Sequence, residues 1–228
     1  MTSSLKPLIL HAHTTGPNPY KVAIALELLS LPYTVKLWDF GDAPNGVKGS
    51  KFTAINPNGR VPALEDPNTS VTSWESGACL NYLLRTYDDG SKGGKNLLGP
   101  RDDEKSRVEH DQWIFFLVST LGPMMGQVNW FRHYHPEKVE GALKRYEEQA
   151  YRCFGVLEEQ LGRSGGKYII GGDRISAVDV HFYPWVYQYE FAGLNLEKYP
   201  KIKAWLDGVK GLKEVVKAYE KVPNGEKA

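Results

Sequence analysis

Cysteine is scarce in this chain: Cys79 and Cys153 are the only two in 228 residues, far apart and in no CxxC or metal-type spacing. That excludes a disulfide framework and a paired-cysteine metal centre, and it makes a reducing cytoplasm the expected home. No apolar stretch approaches the ~20 residues of a membrane span. The opening Met1-Thr2-Ser3-Ser4-Leu5-Lys6-Pro7 has no basic segment followed by an apolar run, so no leader is expected. Clustered positive charge is missing too. The net charge is +1, and the richest basic run, 198–221, alternates with apolar positions and with Asp207, Glu214 and Glu220. It reads as a solvated helix face, and neither a nucleic acid nor a membrane is an expected partner. Internal repeats and low-complexity tracts are also lacking. The remainder is ordinary: 41% apolar and 24% charged, enough chain for one large domain or two modest ones.

The first part alternates strand and helix. Pro7-Leu8-Ile9-Leu10-His11-Ala12 is a short apolar strand, and 18–29 follows with helical spacing at Val22, Ala25, Leu26 and Leu29. A second strand covers 31–38, and a Gly/Pro/Asn/Lys-rich segment at 41–49 breaks the pattern. Residues 60–65 and 70–72 form a hairpin around Pro67-Asn68, and a helix from 74 to about 87 closes the unit. This order gives a small mixed sheet with helices on it. Residues 90–103 are the linker candidate, poor in apolar residues and rich in glycine. Beyond it, 104–121, 137–161, 177–189 and 200–209 carry helical periodicity and nothing reads as a strand. The expected division is 1–89 for the α/β domain and 104–228 for an all-α bundle.

The most informative stretch is Asn56-Pro57-Asn58-Gly59-Arg60-Val61-Pro62-Ala63-Leu64, followed by Trp74-Glu75-Ser76-Gly77-Ala78. A Val-Pro step beside a strand can pair its backbone with an extended ligand. An acid-serine pair opening a helix can meet an ammonium with Glu75 and a carboxylate at Ser76. A short peptide with a zwitterionic head fits, and glutathione has that anatomy. Each feature has a plainer alternative. Thr72-Ser73-Trp74-Glu75 also fits a capping box, with the acid folded back on the helix start. Arg60-Val61-Pro62 also fits an ordinary strand start with a proline at its edge. Ser176-Ala177-Val178-Asp179 is a capping box for the next helix, with stability as its role.

With Pro17-Asn18, Lys21-Val22-Ala23-Ile24-Ala25-Leu26 and Gly122-Pro123-Met124-Met125-Gly126-Gln127, these motifs resemble the cytosolic glutathione transferase family across almost the whole chain. The similarity is to the subgroup containing the transferase-like body of a yeast prion-forming nitrogen regulator, fungal transferases, and bacterial disulfide-bond oxidoreductases of the same build. His135-Pro136-Glu137-Lys138 is similar to transferases of fungal secondary-metabolite clusters. The resemblance implies a thioredoxin-like first domain, a homodimer, and glutathione as co-substrate without a metal. It implies that Asn18 donates its amide N–H to the glutathione sulfur, with hydroxyls of Thr14 and Thr15 nearby. Asn18 also fits a simple helix start before Pro19.

The task at Asn18 has a size. A free thiol has a pKa of ~8.5, and lowering it by roughly 2 units is worth about 2.7 kcal/mol. Donors and the positive end of a helix are the means available. The resemblance further implies a cis Val61-Pro62 bond, Arg60 near a carboxylate, and Glu75 and Ser76 on the ligand. It places Arg145 on the ligand as well, although an exposed arginine paired with Glu148 or Gln149 is the plain reading. Relatives carry His or Gln where this chain has Val47-Lys48, so Lys48 or Lys51 is the electrostatic substitute. An apolar shelf for the second substrate draws on Phe116, Met124, Trp130, Phe131, His133, Tyr134 and Trp185, although aromatic residues are more often core than pocket. His133 and His135 lack a third ligand at a persuasive spacing. The expected activity is conjugation of glutathione to a hydrophobic electrophile, in detoxification or biosynthesis. The alternatives are glutathione-dependent reduction of disulfides or peroxides, or a low-turnover glutathione-binding regulator.

Overall fold

A computed structural model describes residues 5–90, 94, 96–100, 103–165 and 167–228. The linker expected at 90–103 falls partly outside the described residues, as do the first four residues of the chain. Two compact units emerge: Met1–Gly99 with Gly211–Ala228, and Pro100–Lys210.

The first unit is built on strands β1 (Leu8–Ala12), β2 (Tyr33–Leu37), β3 (Ala63–Asp66), β4 (Val71–Trp74) and β5 (Glu226–Lys227), in the order β4-β3-β1-β2-β5. β1 runs parallel to β2 and antiparallel to β3, β3 pairs antiparallel with β4, and β5 adds parallel to β2. Central position explains composition. β1 is Leu-Ile-Leu-His-Ala and almost wholly buried, whereas β2 alternates buried Tyr33 and Val35 with exposed Thr34 and Lys36. Helix α1 (Asn18–Leu28) starts with Pro19 in its first turn and buries Pro19 to Leu26 without a break, so it is enclosed on every side. A short α2 (Ser50–Thr53) anchors Phe52 in the core where the sequence shows only broken pattern.

Helix α3 (Ser76–Leu83) continues through a π-helical turn at Leu84–Asp88. It starts two residues later than the periodicity implies because Trp74 ends β4 and Glu75 has φ +68° and ψ 120°. No side chain caps this start, so the capping box at Thr72–Glu75 does not form.

In the second unit α4 (Glu104–Phe116) is capped by Asp103, whose carboxylate accepts the Ser106 N–H at 2.9 Å. It runs through a π-helical turn at Leu117–Leu121 into α5 (Gly122–Asn129), and a second such turn covers Trp130–Tyr134. α6 (Glu140–Arg163) lays Ala150, Cys153, Phe154, Leu157 and Leu161 along one buried stripe. α7 (Ala177–Val186) is buried around most of its circumference, and α8 (Pro200–Lys210) packs Trp205 near it. The predicted Ser176/Asp179 box is present in full. Asp179 is buried, accepts from Ser176 and from the Ile169 N–H, and takes the Trp205 indole N–H at 2.9 Å. Those donors satisfy a carboxylate whose pKa burial pushes up.

The chain end departs from the sequence reading, which placed all of 104–228 in one helical bundle. Helix α9 (Lys213–Lys221) and β5 belong to the first unit. The reason is side-chain docking. Tyr219 stacks on Tyr20 with ring centroids 4.2 Å apart, Lys221 Nζ lies 3.6 Å from the Tyr33 ring centroid, and Val215, Ala218 and Val222 are buried. β5 is held through the backbone, with the Ala228 N–H on Leu37 O at 2.9 Å, so no side-chain pattern marked it as a strand.

Candidate functional site

Strand direction gathers the predicted residues. β1 ends at Ala12 and leads through 13–17 into α1. β3 is antiparallel, so it begins at that same end, with Ala63 opposite His11 on one side and Trp74 on the other. β4 ends there and hands the chain to α3. The start of α1, the approach to β3 and the start of α3 therefore share one end of the sheet. They bring Thr15, Asn18, Arg60, Val61, Glu75 and Ser76 to it.

Val61 stands two residues ahead of β3, outside the paired register, and its bond to Pro62 is cis as the resemblance implied. Its side chain packs on a cluster of Trp38, Val47, Phe52 and Ala63. The loop before it is held from within. Asn56, 1% exposed, donates from Nδ2 to Arg60 O and accepts the Asn58 N–H at 3.0 Å. Gly59 has φ +60°, and a Cβ there would meet Val47 O at 2.7 Å, so only glycine fits the turn. Lys48 Nζ donates to Asn58 O at 2.9 Å, which places it against this loop. Arg60 and Lys51 are exposed.

At the start of α3, Ser76 is buried and Glu75 is exposed, with Asn58 Nδ2 at 3.4 Å from Glu75 Oε1. Beneath them lies a residue to which sequence reasoning gave no role. Lys21 is 1% exposed and its Nζ donates to Ser76 Oγ at 3.2 Å. Burial pulls its pKa well below the usual lysine range, and the Glu75 charge opposes that shift. The signal available in sequence was a lysine inside the otherwise apolar stretch 19–26.

The loop from β1 to α1 has its own ties. Thr15 presents both its N–H and its hydroxyl to His13 Nδ1, each at 3.0 Å, so its hydroxyl hydrogen is directed at that ring. His13 stacks on Phe40 with centroids 3.8 Å apart. Tyr20 Oη donates to Thr14 O at 2.9 Å and fixes the loop from the helix side. Asn18 is half-buried as the first residue of α1, preceded by Pro17 in the cap position. The positive end of α1 faces this loop.

Under the sheet end, His11 is buried and its tautomer follows from its partners. The Trp38 indole donates to Nδ1 at 2.9 Å, so Nε2 carries the hydrogen and gives it to Glu65 Oε1 at 2.6 Å. Burial lowers the His11 pKa, with Glu65 acting against it.

The residues proposed for the second substrate lie in the second unit, where ring contacts, some through His135, link Trp130, Phe131, His133 and Tyr134. Phe116 stacks toward the buried Phe182 of α7. Trp185 packs over Gly122 and Gly126, which have no side chain to keep it away. Met124 is half-buried. Phe131 stacks on His135 and Tyr146, while Trp130 and Tyr134 lie exposed with centroids 6.4 Å apart. His133 Nε2 donates to Phe191 O at 2.6 Å and the two rings stack. Arg145 is exposed on α6.

Both cysteines are buried. Burial pushes the Cys79 thiol up to about 12 and raises Cys153 as well, so neither presents a thiolate near neutral pH. Among the described residues no group of three or more His, Cys, Asp or Glu side chains is arranged to hold a metal ion, and no helix is long and apolar enough to cross a membrane.

Comparison with known proteins bears on this geometry. Residues 6–85 match the family described as glutathione S-transferase, N-terminal domain, and residues 121–213 match its C-terminal domain. The glutathione S-transferase-like protein tpcF of Aspergillus fumigatus is 40% identical over 84% of this chain and 86% of its own length. Among solved structures, Ure2p in complex with glutathione is 31% identical with a TM-score of 0.85, covering 94% of this chain and 98% of that one. The nitrogen regulation fragment of the yeast prion protein Ure2p is 30% identical with a TM-score of 0.86, covering 96% and 99%.

Proposed function

The chain belongs to the glutathione S-transferase family, and from that premise we propose that it binds glutathione in its first unit, holds the sulfur as thiolate and adds it to a hydrophobic electrophile. The observation that carries this reading is the convergence of Asn18, Val61 and Glu75–Ser76 at one end of the sheet. The γ-glutamyl carboxylate sits at the start of α3, its ammonium faces Glu75, and the cysteinyl backbone pairs with Val61. That lays the sulfur toward the start of α1, where the Asn18 amide donates to it and the helix end favours negative charge. The likeness to Ure2p in complex with glutathione supports glutathione as the ligand.

The chemistry then belongs to the ligand. Glutathione loses its thiol proton to solvent, the thiolate pair forms a C–S bond to the electrophilic carbon, and that carbon's leaving group or π-electrons take up the displaced pair. Holding the two reactants together and stabilising the thiolate supply the rate, without a covalent enzyme intermediate. The test runs two assays in parallel on the purified chain: conjugation of chlorodinitrobenzene, and oxidised glutathione formed from a disulfide or peroxide. Conjugation above the uncatalysed rate supports the proposal, and oxidised glutathione alone would replace it with a reductase. A low-turnover glutathione-binding regulator is the second reading, favoured by the likeness to the Ure2p nitrogen regulation fragment. It predicts glutathione binding with background rates in both assays.

A further inference from the structure

A lysine enclosed in a protein needs its charge answered, because an uncompensated ammonium out of water is costly. Lys21 sits in the first turn of α1 between buried Tyr20 and Val22, itself 1% exposed. Among the described residues its hydrogen bond goes to a neutral atom, Ser76 Oγ at 3.2 Å. The carboxylate whose charge acts on it is Glu75, which is exposed and which the proposed complex assigns to the ligand's ammonium. The charge under the start of α3 is thus only partly answered within the protein.

The hydrogen bond also has a direction. Lys21 Nζ is the donor, so it occupies a lone pair of Ser76 Oγ. The single hydroxyl hydrogen of Ser76 then has to point elsewhere. It is free to join the unpaired N–H groups of the first turn of α3. An anion arriving there meets a hydroxyl already turned to donate, with a positive charge directly behind it.

We propose that Lys21 is a positioning residue of the carboxylate subsite, holding the Ser76 hydroxyl in donor orientation and supplying the countercharge for the α-carboxylate of a γ-glutamyl ligand. The inference rests on the glutathione reading and deepens it. A purely structural Lys21 would tie α1 to α3 and affect folding alone. The carboxylate-directed role makes its loss visible only with ligands that carry the charge.

The test compares glutathione with an analogue whose γ-glutamyl α-carboxylate is a carboxamide, by calorimetry and by competition, on the wild-type chain, Lys21→Met and Ser76→Ala. A charged hydrogen bond of this kind predicts roughly tenfold or greater weakening of glutathione binding in Lys21→Met. The amide analogue should bind Lys21→Met and wild type alike, and adding Ser76→Ala to Lys21→Met should cost little more. Equal affinity of Lys21→Met and wild type for glutathione would overturn the role while leaving the glutathione site intact. Equal weakening toward both ligands would reduce Lys21 to a structural strut and overturn the role as well. A wild-type chain that binds neither ligand would remove the glutathione reading and this role together. Should Lys21→Met fail to fold, the wild-type chain decides. Its Lys21 side-chain resonance must shift on adding glutathione and stay in place on adding the amide; shifts of the same size with both would overturn the assignment.

Discussion

Glu75 should reveal two opposed effects in one position. It is the residue between β4 and α3, with φ +68° and ψ 120°, a region that L side chains seldom adopt. Holding a non-glycine residue there costs on the order of 1–3 kcal/mol. Its carboxylate stands exposed beside Asn58, at the place the proposed complex gives to the ligand's ammonium. Replacement by alanine and by glycine removes the carboxylate equally, including its pull on Lys21. Only glycine relieves the backbone. Glu75→Gly should therefore be more stable than Glu75→Ala by about 1 kcal/mol, the left-handed penalty less glycine's extra chain entropy. In a chain of this size that is roughly 2–4 °C in melting midpoint. Both variants should lose glutathione affinity to the same degree, roughly tenfold, the lower end for a charged hydrogen bond because the group is exposed and screened. Paired thermal melts and calorimetric titrations read both quantities. Equal melting midpoints for the two variants would refute the strain, and wild-type affinity in either would refute the contact.

Other positions separate site from scaffold. Asp179→Ala strips a buried carboxylate from Ser176, the Ile169 N–H and the Trp205 indole. It should cost about 3–5 kcal/mol by urea unfolding, with glutathione affinity of the folded fraction unchanged. Gly59→Ala places a Cβ 2.7 Å from Val47 O at φ +60°; the loop should shift, with stability falling by about 1–3 kcal/mol and glutathione binding weakening alongside. His11 has a lowered pKa, so the unfolded chain binds more protons than the folded one below about pH 6.5. Its contribution to stability should be complete above that pH and decline as the pH falls toward the folded-state value. Melting midpoints between pH 7.5 and 5.5, as assay conditions on the order of the usual histidine range, should therefore slope more steeply in wild type than in His11→Gln. Equal slopes would refute the assignment.

What was legible in sequence was what local rules control. The Ser176/Asp179 box depends on three residues of separation and formed as read. α6 announced itself by a 3.6-residue stripe, and β1 by a short, mostly apolar run. The misreadings came from longer-range causes. The Thr72–Glu75 segment carries every residue of a capping box, yet β4 pairing through Trp74 and the positive φ of Glu75 delay the helix. Residues 211–228 have the composition of another bundle helix, and partners distant in sequence, the Tyr20 stack, the Tyr33 ring under Lys221 and the β2 edge, draw them to the first unit. Of the candidate site, Val61, Glu75 and Ser76 were legible as candidates because motif and strand order coincide. Lys21 was hidden because a lysine in a helix is ordinarily read as reaching for solvent, and the hydroxyl that answers it is 55 residues away.

The most direct test is a crystal of the wild-type chain soaked with glutathione. The account predicts the α-carboxylate within hydrogen-bond distance of Ser76, the ammonium facing Glu75, the cysteinyl amide against the Val61 backbone and the sulfur beside the Asn18 amide. Glutathione bound with its γ-glutamyl head away from Glu75 and Ser76, or a soaked crystal with that end of the sheet closed to it, would contradict the account.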